Sequence, residues 1–226
     1  MIRACIFDAY GTLFDVAGAA RAAAAEPGGE RLATLWPRLA EDWRRKQIEY
    51  SWHRSLTGHH ADFATVTADG LDWALEAAGI ADDGLRARLL ALYDRLPAYP
   101  EVPGVLAALR AQGITTAILS NGTPAMLAAA TGAAGIAGLI DRVLSVEEVA
   151  IFKPAPAVYA LIAPRLGAAP ADTLFLSSNG WDVAGAAAFG LTAIWVNRAG
   201  APRERLPHGP AETWRDLSPL PARAGS

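Results

Sequence analysis

The chain has 226 residues, 20 Lys and Arg against 23 Asp and Glu, a formal net charge of −3 and a pI near 5.8. With 52% hydrophobic and 19% charged residues it reads as globular rather than disordered, long enough for a core that carries a smaller insert. The slightly acidic balance, without a basic block, argues against nucleic acid or an anionic membrane as partner.

In chain order, the first predicted strand is Ile2–Phe7, apolar apart from Arg3 and ending at Asp8. Residues 1–8 meet a charge too early for a secretory leader, and the single Cys5 has no internal disulfide partner. A reducing, cytoplasmic setting is expected, with Cys5 a small core residue rather than a nucleophile. From Val16 to Ala98 the pattern turns helical, with amphipathic stretches at Leu32–Tyr50, Phe63–Ala78 and Leu85–Leu96. The segment Tyr99–Gly104 reads as a linker back to alternating strands and helices. A helix opens at Pro103 and stops at Gly113, and a strand spans Thr115–Leu119 before Ser120-Asn121-Gly122. Pro124 opens another helix, and Val143–Leu144 is a short strand candidate. Pro154–Leu166 reads as one helix closed by Gly167. Strands follow at Thr173–Leu176, before Ser177-Ser178-Asn179, and at Thr192–Val196. The longest apolar stretch, Val183–Val196, is too short to cross a bilayer. The Pro-rich tail from Gly200 is expected to be mostly irregular and frayed at its end.

Strands alternating with helices specify an α/β fold: a Rossmann-like parallel-sheet core, residues 1–15 and 99–226, with a helical cap subdomain, residues 16–98, inserted after the first strand. Ligands of such sheets bind outside the carboxyl ends of the strands. Those ends carry Asp8, Ser120-Asn121, Ser177-Ser178-Asn179 and, beyond the third strand, Lys153. Only two of the basic residues are lysines, Lys46 and Lys153, so an isolated Lys hints at a need for an ammonium. An Asp ending an apolar strand and followed by Gly11 can present an ionised carboxylate as a nucleophile. Taken alone, Asp8 reads rather as a turn residue and Lys153 as a surface lysine before a proline.

Four segments together resemble the L-2-haloacid dehalogenases, a branch of the haloacid dehalogenase superfamily. They are Asp8 to Val16, Ser120-Asn121-Gly122-Thr123-Pro124, Phe152-Lys153-Pro154 through Tyr159, and Ser177 through Asp182. The cap segment Trp43-Arg44-Arg45-Lys46-Gln47 through Trp52 is similar to the same branch. Phosphatase relatives carry a second Asp two residues after the nucleophile and acidic Mg²⁺ ligands in the last motif. Here Tyr10 and Ser178 stand at two of those positions, which weakens any hard-cation site. The resemblance therefore implies hydrolysis of a small L-2-haloacid to a D-2-hydroxy acid and halide, without metal or other cofactor. Its implied course is an ester on Asp8. A phosphatase of the same superfamily and a non-catalytic binder of small acids are the alternatives.

The resemblance also implies roles. Lys153 is the cation beside Asp8, and Thr12 orients Asp8. Ser120 and the backbone N–H groups of Ala9 and Tyr10 receive the substrate carboxylate. Asp182, with Asn179, Ser177 and Tyr159, surrounds the hydrolytic water, although from the residues alone Asp182 could be a helix cap and Tyr159 a packing group. Arg44, Asn121 and the Trp181 ring cradle the halide, while Tyr10, Ile48, Phe63 and Trp181 form an apolar wall. A homodimer is implied. His53, His59, His60 and His208 lack metal-ligand spacing, and His59 and His60 are expected on the cap surface.

Overall fold

Ala4–Phe7 is wholly apolar because it is covered on both faces: this first strand, β1, is buried at every position in the computed structural model, which describes residues 1–25 and 30–225. The other strands are β2 (Thr115–Ser120), β3 (Arg142–Ser145), β4 (Thr173–Ser177), β5 (Thr192–Val196) and β6 (Glu212–Trp214). All pair in parallel, in the order β3-β2-β1-β4-β5-β6. The order reverses at β1, whose Phe7 aligns with Ile118 on one side and Leu176 on the other. A crevice therefore opens beyond Phe7, at the carboxyl edge of the sheet.

Between β1 and β2 the chain is helical. It forms α1 (Val16–Ala25), α2 (Glu30–Thr57), α3 (Phe63–Ala77), α4 (Asp83–Leu92), a 3-10 turn at Tyr93–Arg95 and α5 (Val102–Ala111). Asp62 and Asp82 start α3 and α4 by accepting the Thr65 and Leu85 N–H groups. α2 lies along α3, where Trp43 Nε1 donates to the Thr67 carbonyl and Gln47 Nε2 to Thr67 Oγ1. The insert is tied at its neck by an antiparallel bridge between Phe14 and Ala98. Asp15 N–H donates to Pro97 O at 2.8 Å and Tyr99 N–H to Leu13 O at 2.9 Å.

The remaining helices are α6 (Pro124–Ala133), α7 (Pro156–Tyr159), α8 (Ile162–Leu166), α9 (Gly180–Phe189) and α10 (Leu220–Ala224). The single helix expected over Pro154–Leu166 is in fact two. Pro164 has no N–H for the Ala160 carbonyl and its ring crowds that turn, so the helix breaks between α7 and α8. The tail is mostly irregular, as expected, but its end is ordered and not frayed. β6 extends the sheet, Arg223 bonds Glu212, and Leu220 and Ala224 of α10 are buried. Within the tail, only Ser226, at the end expected to fray, lies outside the described residues. Among the described residues no helix is long and apolar enough to cross a membrane.

Candidate active site

Asp8 follows β1 directly and is nearly buried at the crevice. Its Oδ2 accepts from Asn179 Nδ2 at 2.9 Å, Thr12 Oγ1 at 3.1 Å and Ser177 Oγ at 3.4 Å. Ser178 N–H donates to Thr12 Oγ1 at 2.8 Å, and Asn179 N–H to Ser177 Oγ at 3.1 Å. Ser177 thereby keeps its hydroxyl proton for Asp8, while Thr12 Oγ1 lies 3.1 Å from both Asp8 Oδ2 and Ser178 Oγ. The loop can turn back this tightly because Gly11 has φ +83° and lies against Ser178, where a Cβ would come within 3.1 Å of its Oγ.

Asp8 Oδ1 faces Lys153 Nζ at 3.2 Å, and the same ammonium donates to Asp182 Oδ2 at 2.8 Å. Lys153 is 1% exposed and Asp182 fully buried. Burial opposes the charge on Lys153, but the Asp182 and Asp8 carboxylates outweigh it and hold the ammonium above its ordinary range. Burial raises Asp182, as does the like charge of Asp8, against the pull of Lys153. Tyr159 OH donates to Asp182 Oδ1 at 2.8 Å. Burial and Asp182 push this phenol far up, so it serves as a donor. It reaches Asp182 because α9 presents Gly185 there: a Cβ would lie 2.6 Å from the Tyr159 oxygen. Lys153 thus fills the gap between two carboxylates.

The chamber in front of Asp8 has a volume of about 40 Å³. Of the residues singled out in the sequence, Tyr10, Arg44, Ile48, Phe63, Ser120, Asn121, Lys153, Asn179 and Trp181 line it with Asp8. Thr12, Ser177, Tyr159, Asp182 and the Ala9 side chain are not among its lining residues; the first four lie behind the carboxylate. Ser120 Oγ accepts the Gly122 N–H, and Asn121 Oδ1 accepts the Lys153 N–H at 3.0 Å, which leaves the Asn121 amide NH₂ for the chamber. Tyr10 stacks near Phe63 and Tyr93, and burial raises its phenol. Arg44 comes in from α2. Most of its length is exposed, but its Nη2 donates to Asn179 Oδ1, so one amide joins the cap guanidinium to Asp8.

Two readings need correction or completion. His60 is not a cap-surface residue: its Nε2 lies 2.9 Å from Glu147 Oε2 and its ring lies against Phe152. Glu147 also accepts the Phe63 N–H, which ties cap to core beside the chamber. His53 and His59 are exposed. Of the two lysines, Lys46 instead lies over the Trp73 ring on the cap and pairs with Glu49. Cys5 is buried, which pushes its thiol up to about 12.

Sequence reasoning missed Trp52, which also lines the chamber and packs edge-on against Trp181. Its position on the same α2 face as Arg44 and Ile48, at helical spacing, could have shown it. It also missed Arg198, whose Nη2 donates to the Thr12 carbonyl at 2.8 Å and to Glu101 Oε1 at 2.6 Å. No local signal links those segments.

The haloacid dehalogenase-like hydrolase family matches residues 2–190. The chain belongs to this family of haloacid dehalogenase-like hydrolases, in its L-2-haloacid dehalogenase branch. It is 46% identical over 206 residues to (S)-2-haloacid dehalogenase 1 of Pseudomonas sp. (strain CBS-3), covering 90% of this chain and 88% of that one. It is 42% identical over 204 residues to (S)-2-haloacid dehalogenase 4A of Burkholderia cepacia, covering 90% and 86%. Among solved structures, the L-2-haloacid dehalogenase of Xanthobacter autotrophicus with chloropropionic acid covalently bound superposes with a TM-score of 0.85. That match is at 39% identity, over 98% of each chain.

Proposed function

We propose that this chain hydrolyses small (S)-2-haloalkanoic acids to D-2-hydroxy acids and halide through an ester on Asp8, without a metal ion. One observation carries the reading. A nearly buried carboxylate faces a small chamber, held by three donors on one oxygen and by Lys153 on the other, with a cap guanidinium joined to it through Asn179. The three donors to Oδ2 leave Oδ1 as the attacking atom. It displaces the halide from the α carbon in line, forming the C–O bond as the C–halogen bond breaks. Ser120 and the Ala9 and Tyr10 N–H groups receive the substrate carboxylate. Arg44, the Asn121 NH₂ and the Trp181 ring receive the halide, and Tyr10, Ile48, Phe63 and Trp181 surround the side chain.

Water then adds to the ester carbonyl on the face turned toward Asp182, which takes the water proton. Thr12, Ser177 and Asn179 hold the carbonyl oxygen as it gains charge, while Tyr159 orients Asp182. Collapse breaks the Asp8 Cγ–Oδ1 bond, Asp182 returns its proton to the departing alkoxide to give the hydroxy acid, the second water proton passes to solvent, and Asp8 keeps one solvent oxygen. A raised Asp182 is the stronger proton acceptor for this step. The reading favours dehalogenation over phosphoryl transfer because Tyr10 and Ser178 stand where phosphatase relatives carry carboxylates, which removes the general acid and weakens a hard-cation site. The relatives named above carry (S)-2-haloacid dehalogenase in their names, which supports the same substrate class.

The test is halide release from the two enantiomers of 2-chloropropionate with EDTA present, beside Mg²⁺-dependent release of phosphate from p-nitrophenyl phosphate. Turnover of the (S) form alone is expected; activity in the phosphate assay only would replace this reading. Binding of (S)-2-chloropropionate with no halide released would instead favour the small-acid binder. Single turnover in heavy-oxygen water is expected to label Asp8 before the product. We also take residues 16–98 as the cap and residues 1–15 with 99–226 as the core, a division supported by the Phe14–Ala98 bridge at the neck. A cytoplasmic homodimer is part of the same proposal, with sedimentation as the check on its mass.

A further inference from the structure

Arg44 and Asn179 border two cavities, not one. The chamber in front of Asp8 measures about 40 Å³, whereas the cavity on their other side measures about 330 Å³. The second cavity is walled by Trp36, Ala40 and Trp43 from the cap and by Trp195 and Arg198 from the core. Among the described residues, two arginines line it and no carboxylate does. Arg198 is committed to Glu101 and the Thr12 carbonyl. Among the described residues, Arg44 bonds Asn179 and has no acidic group at ion-pairing distance, so its charge is uncompensated at the boundary. A third, surface depression beside Arg44 is lined by Glu41, Arg45 and Glu49, so its charges balance and it attracts an anion less than a cavity whose charged lining is arginine alone.

We propose that the second cavity is the exit vestibule for the halide. The inference rests on the dehalogenase reading above and adds a second anion site to it. In this scheme the halide leaves before hydrolysis, which frees the Arg44 side of the chamber for the incoming water. Arg44 lines both the chamber and the vestibule, so rotation of its guanidinium away from Asn179 carries the ion across without ever leaving it unpaired. The ring edges of Trp36 and Trp43 carry the positive part of their quadrupoles and suit an anion in transit. The organic product stays on the Asp8 side, and the two products leave separately.

The test separates halide formed from halide set free. Ala40 touches none of the groups around Asp8, and Ala40→Phe narrows the vestibule. With (S)-2-bromopropionate, rapid quench reads total bromide, and a bromide-sensitive dye in stopped flow reads free bromide. In the variant, total bromide in the first turnover is expected to stay within twofold, while free bromide lags about tenfold further behind it. Free and total bromide keeping the unmodified protein's relation in a folded variant overturns the proposal. If the variant does not fold, crystals of the unmodified protein soaked in bromide decide by anomalous scattering. Bromide against Arg44 on the Trp36 and Trp43 side supports the vestibule, and bromide confined to the chamber or the outer surface refutes it. If the unmodified protein releases no bromide from substrate, the dehalogenase reading fails on its own, and the soak still tests the anion site.

Discussion

The two walls of the chamber are built on different principles. On the core side, Asp8, Lys153 and Asp182 are buried, and every polar atom among them has a partner fixed by a strand end or a short helix. On the cap side, Arg44 is exposed and meets the core through one amide, and the rest of the wall is Gln47, Ile48, Ser51, Trp52 and Phe63. The core wall spends its hydrogen bonds on geometry, which is what a nucleophile needs. The cap wall supplies one charge and a largely apolar surface, and it meets the core through fewer polar contacts. The difference predicts that core substitutions abolish a step, whereas cap substitutions change its rate and its preference among leaving groups.

The largest effect is expected at the nucleophile. Asp8→Asn keeps the shape of the site but removes the attacking charge, and halide release is expected to fall by about 10⁴-fold or more. Lys153→Met breaks the contrast from the other side: it leaves two carboxylates facing each other in a buried site with no cation. Loss of activity is expected together with loss of about 3–5 kcal/mol of stability, read from urea unfolding. A variant as stable as the parent would mean that Lys153 is not the element that holds the pair.

Asp182→Asn is expected to spare ester formation and slow hydrolysis by about 10²–10⁴-fold. One equivalent of halide per site then appears in a burst, and mass spectrometry finds the ester on Asp8. The pH dependence follows from the same environment. Asp182 must be ionised to accept the proton, and its raised pKa places the acid limb of kcat above the ordinary aspartate value of 3.8. Lys153 is raised, so it stays charged past 10.5 and adds no alkaline limb below that pH. For stability the signs are separate. Asp182 binds its proton more tightly folded than unfolded, so its contribution favours the fold at low pH and is lost as pH rises through its folded pKa. The Lys153 contribution is full below 10.5 and is lost only above it.

On the cap side a smaller, graded effect is expected. Arg44→Met removes the halide's cation but no covalent participant, and kcat is expected to fall about 10–100-fold, more for chloride than for iodide. Iodide is the better leaving group and needs the least help. Equal losses for both halides would place Arg44 outside the leaving-group step.

Much of the core wall was legible in the sequence, because its residues sit where strands end. Apolar runs ending in Asp8, Ser120 and Ser177 announce both the strand and the group it delivers. The cap's Arg44 was legible only through the surrounding Trp43 to Trp52 segment, since a single arginine on a helix carries no signal. Period and punctuation failed where tertiary context decides. The run Glu212–Trp214 is a strand only because β5 offers it a free edge. The split at Pro164 was masked by the apolar spacing on either side of it. Val16–Ala25 is a helix without a clear apolar stripe, its sequence being almost all Ala and Gly. The vestibule was invisible because cap and core contribute to it from distant segments.

The last prediction concerns a residue that touches neither chamber nor substrate. Arg198 lies with its guanidinium 3.6 Å above the Tyr99 ring centre and bridges Glu101 to the Thr12 carbonyl. Thr12 in turn bonds Asp8 and Ser178, so the clamp sets the turn that aims the nucleophile. Glu101 also accepts the Leu217 N–H, which brings the ordered tail into the same network. Glu101→Gln keeps a hydrogen-bond acceptor but removes the charge that holds Arg198. The expected cost is about 1–3 kcal/mol of stability and a severalfold fall in kcat with KM unchanged, because substrate contacts remain intact while Asp8 is less well aimed. Arg198→Lys keeps a cation but loses the planar fork, and it is expected to reproduce the kcat loss. A change confined to stability, with kcat intact in both variants, would assign the clamp to the fold alone and confine the aiming of Asp8 to the contacts of the core wall.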